Sequence, residues 1–159
     1  RICFFGAAMN LEISKNRYNG YRDALLKYKL PVDKDLFRIC DNREEAEKLT
    51  PELMALENRP DGFFTINDDT ALGVLYTCKR LGYNIPDDVS ICGFTDGIRA
   101  KSCDPQLTTV EQRGYDVGVA AATCLIEEYE AEGEEKQKFR NRIIKTKLIV
   151  RGTTKPLTE

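Results

Sequence analysis

Polar side chains that could bind a small ligand follow an apolar run in the middle of the chain. Asn67 and Asp68 come directly after the strand-like residues 62–66 and directly before a helical pattern of apolar residues. In a parallel sheet, the carboxyl end of a strand at such a junction is where small polar ligands bind. The alternative is that Asp68 or Asp69 only caps the helix, since short acceptors satisfy its free N–H groups. The spacing alone leaves both interpretations open.

The residue types that the chain lacks limit the chemistry further. It contains no histidine, which removes Ser-His-Asp and Cys-His nucleophiles and every metal site that uses imidazole. It also lacks the glycine fingerprints G-x-G-x-x-G and G-x-x-x-x-G-K-[ST] of nucleotide-binding enzymes. Its six cysteines never reach C-x-x-C spacing, are typical of reduced core cysteines, and so favour a cytoplasmic protein. We expect no catalytic residue, no metal and no cofactor.

Composition indicates one compact domain. The 159 residues are 42% apolar and 31% charged, which suits a domain with a substantial core. A net charge of −2 argues against nucleic-acid binding by this chain. No apolar run approaches the roughly 18 residues that a membrane span needs. The sequence opens inside the apolar run 2–6 and has no initiator Met, from which we expect a fragment of a longer protein.

Strand-like and helix-like segments alternate along most of the chain. Continuous apolar strands separated by amphipathic helices predict a three-layer α/β domain, with a mostly parallel sheet and helices on both faces. Pro51 should kink the second helix or divide it with Thr50 as a new cap. The charged residues 132–142 are predicted to form a solvated loop. The predicted strands are 1–6, 36–40, 62–66, 89–94 and 144–150, with a short extended crossing at 107–110, and the predicted helices are 16–28, 42–56, 69–82 and 114–131.

The chain also carries six short segments that are weak alone but specific in their common order. They are Arg-Tyr-Asn-Gly-Tyr at 17–21, Pro-Asp-Gly at 60–62 followed by Asn-Asp at 67–68, Ala-Leu-Gly at 71–73, Ile-Pro-Asp-Asp-Val-Ser-Ile-Cys-Gly-Phe at 85–94, Leu-Thr-Thr-Val-Glu-Gln at 107–112 and Val-Arg-Gly-Thr-Thr at 150–154. In order and spacing they resemble the C-terminal half of the lactose-repressor/galactose-repressor (LacI/GalR) family of bacterial transcription regulators. The resemblance covers nearly the whole chain.

This resemblance implies an effector-binding core shaped like a periplasmic sugar-binding protein, in which two Rossmann-like α/β subdomains are hinged around a ligand cleft behind a DNA-binding headpiece. Residues 1–110 and 145–159 would form the C-terminal subdomain. Residues 111–144 would be a crossover segment and a helix of the N-terminal subdomain, most of which this chain lacks together with the headpiece. Operator DNA would be bound only through that headpiece, and a homodimer would use the helix 69–82. The side chains expected at the dimer interface are Val74, Tyr76 and Leu81.

The resemblance also implies roles for individual residues at the cleft. Arg17 matches the arginine of the family's R-x-x-G-[FY] motif, which hydrogen-bonds the effector, and its forked donors suit paired hydroxyls or a carboxylate. Asn67 matches an amide that reads sugar hydroxyls, since it offers both a donor and an acceptor. Gln112 matches a polar crossover residue near the cleft. The implied effector is a sugar or a sugar derivative.

Two departures from the family pattern concern the identity of the ligand. Most relatives have an aspartate directly after the Gly-[FY] pair, where this chain has Thr95, with Asp96 one place later. Asn42 stands where many relatives place an aromatic ring that stacks on the ligand. Without that ring and with a neutral Thr95 near Arg17, an acidic sugar such as a uronate is favoured over a neutral hexose. The predicted ligand-binding residues are Arg17, Asn42, Asn67, Asp68, Thr95, Asp96 and Gln112.

Three functions are compatible with the sequence. The first is the effector domain of a transcriptional regulator, without catalysis. The second is a transport-type sugar-binding protein of the same fold, which a signal peptide before Arg1 would indicate in place of a helix-turn-helix. The third is a small α/β enzyme, against which the missing histidine and glycine motifs argue. The cysteines favour the regulator.

Overall fold

The computed structural model describes residues 1–131 and 141–156. The strands in this part of the chain are β1 (Ile2–Gly6), β2 (Phe37–Ile39), β3 (Gly62–Thr65), β4 (Ser90–Thr95), β5 (Thr108–Glu111) and β6 (Lys147–Ile149). The helices are α1 (Glu12–Lys27), α2 (Arg43–Met54), α3 (Asp68–Arg80), α4 (Ile98–Ser102) and α5 (Gly114–Glu130), with a 3-10 turn at Lys34–Leu36. The strands form one six-stranded sheet in the order β2-β1-β3-β4-β5-β6. The first five strands are parallel, and β6 runs antiparallel to β5.

The mostly parallel α/β sheet predicted from the continuous apolar strands is confirmed, but several element boundaries differ. The first helix begins at Glu12, one turn earlier than predicted. The second helix runs without interruption from Arg43 to Met54 with Pro51 inside it. Thr50 does not cap a new helix, because its hydroxyl donates to the carbonyl of Ala46 at 2.6 Å. Of the two outcomes expected at Pro51, division of the helix is therefore wrong.

Two helices, α2 and α3, cover one side of the sheet, which we name the α2/α3 face. Glycine allows them to pack closely: a Cβ atom at Gly73 of α3 would lie 2.7 Å from the Cβ atom of Ala46 in α2. Strand side chains alternate between the two sides of a sheet, so every second residue points into this core. The buried strand side chains of this core include Cys3, Phe5, Phe63 and Ile91.

The opposite side of the sheet, which we name the α1 face, is packed less completely. Phe4 lies at its centre with its ring stacked on those of Tyr21 and Phe64, at centroid separations of 5.3 and 5.2 Å. Cys92 and Phe94 lie on β4, the strand next to β3, and stay partly exposed. They line a mainly apolar groove of about 1120 Å³ that extends from α1 to β6. One face of the sheet is therefore packed and the other partly open.

The long helix α5 lies outside both cores. It begins after Arg113, whose φ of 52° is in the left-handed region, and none of its residues is buried. Its assignment to a second subdomain stays a prediction. The loop predicted at 132–142 falls mostly on residues 132–140, which lie outside the described part of the chain. The large apolar side chains that α5 exposes are Tyr115, Val117, Val119, Leu125, Ile126 and Tyr129.

The apolar set predicted for a dimer surface on α3 is only partly available. Val74 is fully buried in the core of the α2/α3 face. Tyr76 is half-buried, with the guanidinium carbon of Arg43 at 5.1 Å from its ring centroid. Leu81, directly after the helix, is 47% exposed. The inclusion of Val74 is therefore wrong, because the chain's own core uses this side chain.

Candidate functional site

Arg17, on the second turn of α1, reaches the carboxyl ends of β3 and β4. Its Nη1 donates a hydrogen bond to the carbonyl oxygen of Ile66 at 2.6 Å, and its Cζ lies 3.7 Å from the centroid of the Phe94 ring. Partial burial lowers the pKa of Arg17, although a guanidinium in a protein stays charged. Within residues 1–131 and 141–156, no carboxylate forms an ion pair with Arg17. Within this part of the chain, Arg17 is thus a half-buried cation that no carboxylate pairs with.

Thr95 and Gln112 meet at the same edge of the sheet, at the ends of β4 and β5. Gln112 Nε2 donates to Thr95 Oγ1 at 3.1 Å, and both residues are exposed. Thr95 has a φ of 141° and Asp96 a φ of 61°, and such conformations each cost about 1–3 kcal/mol. They turn the chain sharply after the strand, directly beyond the ring on which Arg17 lies. We name Arg17, Thr95 and Gln112 the tip cluster.

The carboxylate of Asp96 is buried and paired with cations inside the chain. The side chain is only 6% exposed, and its oxygens lie 2.7 Å from Arg151 Nη2 and 3.2 Å from Lys101 Nζ. The contact with Arg151 is an ion pair whose angle falls short of a hydrogen bond. Arg151 also donates to the carbonyl oxygen of Leu107 at 2.8 Å. Asp96 therefore ties the loop after β4 to the segment after β6.

Asp68 connects three elements from a nearly buried position. One carboxylate oxygen accepts from the hydroxyl of Thr109 on β5 at 2.5 Å, and the other accepts from the N–H of Gly97, directly before α4, at 2.9 Å. A Cβ atom at Gly93 would lie 2.5 Å from the first of these oxygens, so glycine leaves room for the carboxylate. Both oxygens of Asp68 therefore have partners inside the chain. Asp68 influences the candidate site indirectly, because it fixes the loop after β4.

Asn67 caps α3, and both ends of its amide are engaged. Its Oδ1 accepts from the N–H of Thr70 at 2.8 Å, and its Nδ2 donates to the carbonyl oxygen of Asp41 at 2.7 Å. The expectation that Asp68 or Asp69 caps this helix is therefore wrong. A ligand that binds Asn67 would have to share or replace these bonds, each of which contributes about 1 kcal/mol.

Asn42 holds the equivalent capping position on α2. Its Oδ1 accepts from the N–H of Glu45 at 2.9 Å, and its Nδ2 lies 3.4 Å from a carboxylate oxygen of Asp41. At this position the side chain has the geometry of a helix cap. Asn42 and Asn67 therefore lie at the same edge of the sheet as the tip cluster, but the amide oxygens of both side chains cap helices.

Phe94 is a site residue that the sequence did not single out. Its pattern is that of an ordinary apolar strand residue, and only its position in the Gly-Phe-Thr sequence before Thr95 was a signal. In the fold, its ring supports the guanidinium of Arg17 by a cation–π contact. The ring of Phe94 therefore stacks on the guanidinium of Arg17, so this face of the ring is not available to a ligand.

The groove on the α1 face meets the tip cluster at one end only. Arg17 and Gln112 line that end, whereas the rest of the wall is mainly apolar and extends to Ile2 at the opposite end of the sheet. A hydroxylated ligand finds its polar partners at the strand ends and not along the groove. In the described part of the chain, no cluster of His, Cys, Asp or Glu could hold a metal ion. The helices described there are all too short or too polar to cross a membrane.

Comparisons with known proteins give this geometry a context. A model of the periplasmic binding protein-like domain matches residues 1–154. The chain is 33% identical over 158 residues to the HTH-type transcriptional repressor CytR of Escherichia coli (strain K12), covering 99% of this chain and 46% of CytR. It is 35% identical over 146 residues to the ribose operon repressor of Halalkalibacterium halodurans, covering 89% of this chain and 41% of that repressor. The solved structure of a regulatory protein of LacI family from Chloroflexus aggregans has a TM-score of 0.87 and 25% identity, covering 98% of this chain and 55% of that one.

The fold is therefore that of a periplasmic binding protein-like domain. Within that class the chain belongs to the LacI/GalR family and corresponds to part of the effector-binding domain of LacI-type regulators. The resemblance inferred from the six segments is confirmed. The transport alternative is not favoured, because the matched relatives are repressors. The chain spans less than half the length of these two curated relatives.

Proposed function

We propose that the chain senses a small effector for a LacI-type transcriptional regulator, with the tip cluster as one wall of the effector site. The observation that carries the proposal is the position of Arg17, a charged fork held between Phe94 and the carbonyl of Ile66. Beside it lie a hydroxyl and an amide, which together offer donors and acceptors to a sugar or a sugar derivative. The carboxyl ends of parallel strands are where α/β proteins bind such ligands.

The site is suited to binding and not to turnover. An activated nucleophile needs a base within hydrogen-bond reach, and among the described residues the hydroxyl of Thr95 is bonded to the amide of Gln112 and to no base. Asp68 and Asp96, the two carboxylates closest in sequence to the site, are engaged with partners inside the chain. We therefore assign the chain no enzymatic activity.

Effector binding would act on the rest of the protein through the loop after β4. Asp96 ties this loop to Arg151 after β6, and Asp68 ties it to α3 and β5. A ligand that contacts Thr95 thus acts on a segment fixed to both strands that flank α5. An effector shifts the equilibrium between two conformations of the regulator by the difference between its binding free energies for the two conformations.

The remaining proposals concern the whole protein. Operator DNA is bound by a separate headpiece, because the net charge of −2 gives this chain no electrostatic attraction for nucleic acid. The regulator acts in the cytoplasm as a homodimer. A dimer surface on α3 would use Leu81 and the outer edge of Tyr76, because Val74 is buried. Sedimentation of the complete effector-binding core as a monomer at micromolar concentration would contradict the dimer.

The effector proposal is tested by NMR titration of the 159-residue chain with a panel of sugars and sugar acids. Because one wall leaves much of a ligand open to water, we expect binding in the millimolar range, weaker than in the complete core. Resonances of residues 94–97 and Gln112 should shift, and Arg17→Gln should abolish these shifts. Arg22→Gln is the matched control, since Arg22 is on the same helix with its side chain 43% exposed and is paired with Asp23 at 2.9 Å. Shifts that persist in Arg17→Gln would refute the placement of the site.

A further inference from the structure

Arg17 differs from the other arginines that follow the strands at this edge of the sheet. Three arginines, placed after β2, β4 and β5, each have a carboxylate at hydrogen-bond distance. Arg17 has none within the described residues, although it is less exposed than these three. The paired arginines are Arg43 with Glu47 at 2.8 Å, Arg99 with Asp69 at 2.8 Å and Arg113 with Asp116 at 2.7 Å.

The surroundings hold the guanidinium of Arg17 in place but do not balance its charge. The carbonyl oxygen of Ile66 uses one of its five N–H donors, and the ring of Phe94 covers one face of its plane. A cation–π contact and a neutral acceptor leave the positive charge without a counter-ion, and burying a charge in that state is costly. The remaining donors form a fork that matches a carboxylate in two parallel hydrogen bonds.

Neither carboxylate of the adjoining motifs can supply the missing charge. Asp96 would have to leave Arg151 and Lys101, and Asp68 would have to leave the hydroxyl of Thr109 and the N–H of Gly97. Because both carboxylates are engaged in this way, neither would repel an anionic ligand bound to Arg17. The two other members of the tip cluster are a hydroxyl and an amide, which are neutral. Neither these two carboxylates nor the neutral members of the tip cluster balance the charge of Arg17.

We propose that the effector carries a carboxylate group, which binds in the fork of Arg17 while its hydroxyls bind Thr95 and Gln112. This inference rests on the proposed function and narrows the effector to the acidic members of its class. Sugar acids and other small hydroxy acids fit this description, and neutral sugars do not. Phe94 acts as a positioning residue, because it holds the plane of the guanidinium and does not contact the ligand.

The test uses two pairs of probes that differ only at one carbon, where a carboxylate replaces a hydroxymethyl group. D-galacturonate is compared with D-galactose, and D-glucuronate with D-glucose, at equal ionic strength, with acetate as the bare carboxylate. The readout is the NMR signal of the Arg17 side-chain N–H groups in the 159-residue chain. Because charge-assisted hydrogen bonds are worth about twice as much as neutral ones, we expect the acids to bind at least about tenfold more tightly.

Variants of Arg17 distinguish the fork from simple charge attraction. Arg17→Lys keeps the charge but loses the paired geometry, so it should lose most of the preference for the acids. Arg17→Gln should abolish that preference and the acetate response. Arg22→Gln should change neither. Equal acid binding by Arg17→Lys and the original chain would overturn the recognition of the carboxylate by the fork.

The outcomes separate this inference from the proposed function. If the neutral sugars shift the tip-cluster signals as strongly as the acids, the carboxylate inference fails while the effector site remains. If acetate and both acids leave the Arg17 signals unchanged, the inference also fails. If no probe of either kind acts at the tip cluster, the proposed effector site fails with it.

Discussion

The two faces of the sheet differ in how completely the chain covers them. Six strands spaced about 4.8 Å apart span about 24 Å, whereas a helix is about 10 Å across, so each face needs at least two helices. The α2/α3 face has them, and Phe63 and Ile91 are fully enclosed there. Among the described elements, the α1 face has one such helix, and Phe64 and Phe94 border the open groove. One core of the chain is therefore fully enclosed, whereas the other is partly open to solvent.

This difference separates the residues that stabilise the chain from the candidate site. The α2/α3 face supplies most of the buried apolar side chains. The tip cluster lies at the edge of the open face, because Arg17 belongs to α1 and reaches over β4. The chain spans 46% and 41% of the length of the two curated relatives.

The largest expected effect comes from truncating neighbouring residues of β3 that point to opposite faces. Phe63 is 2% exposed and meets the ring of Phe5 edge-on at 5.5 Å, so Phe63→Ala should lower the free energy of unfolding by about 3–5 kcal/mol. Phe64→Ala removes a partly exposed ring and should cost about 1–2 kcal/mol. Urea denaturation measures both, with Phe63→Leu as a milder variant if Phe63→Ala does not fold. Equal losses of unfolding free energy for the two variants would show that the two faces are packed equally well.

A second pair of substitutions compares a packed glycine with an open one. A Cβ atom at Gly93 would lie 2.5 Å from Asp68 Oδ1 and 2.9 Å from Leu107 Cδ2, so Gly93→Ala should cost about 2 kcal/mol. At Gly118, in α5, a Cβ atom would have no neighbour within 4 Å. Gly118→Ala should therefore be neutral or stabilise by up to about 1 kcal/mol. Thermal unfolding of both variants checks this order, and a destabilising Gly118→Ala would show that α5 is packed.

Alkaline pH provides a smaller, graded effect. Burial raises the pKa of Cys40 and of Cys78 to about 12, and burial also raises the pKa of Tyr21 to about 12. Because the folded state binds these protons more tightly than the unfolded state, this stability is complete below about pH 9 and is lost as the pH rises through about 12. Each group should contribute a slope of up to about 1.4 kcal/mol per pH unit. Denaturant unfolding at rising pH should show a smaller slope for Cys78→Ala than for the unsubstituted chain, and an unchanged slope would contradict this contribution of Cys78.

The fold was largely predictable from the sequence because its signals are local. The alternation of apolar strands and amphipathic helices depends on neighbours a few residues apart, and it predicted the parallel sheet correctly. The helix cap was not predictable in the same way, since Asn67, Asp68 and Asp69 can all cap a helix. The choice depends on where β3 ends and on the partner that Asp41 offers to Asn67.

The candidate site was less predictable because its arrangement depends on residues far apart in the chain. The resemblance named Arg17, but only the fold shows that its guanidinium lies over Phe94. The orientation of Asp96 is set by Arg151, which lies on the far side of α5 in the sequence. The sequence pattern does not show which of the neighbouring residues Thr95 and Asp96 points into the protein. That orientation depends on the contacts made in the folded chain.

Within the described residues, this chain covers one face of its sheet and leaves the other partly open. Hydrogen–deuterium exchange followed by mass spectrometry measures it directly, because amide protection reports the free energy of local opening. We expect the slowest exchange in α2 and α3, intermediate exchange in α1, and exchange close to that of an unfolded segment in α5. Protection of α5 equal to that of α3 would contradict this difference between the two faces, since it would mean that a second core covers the helix and the open face.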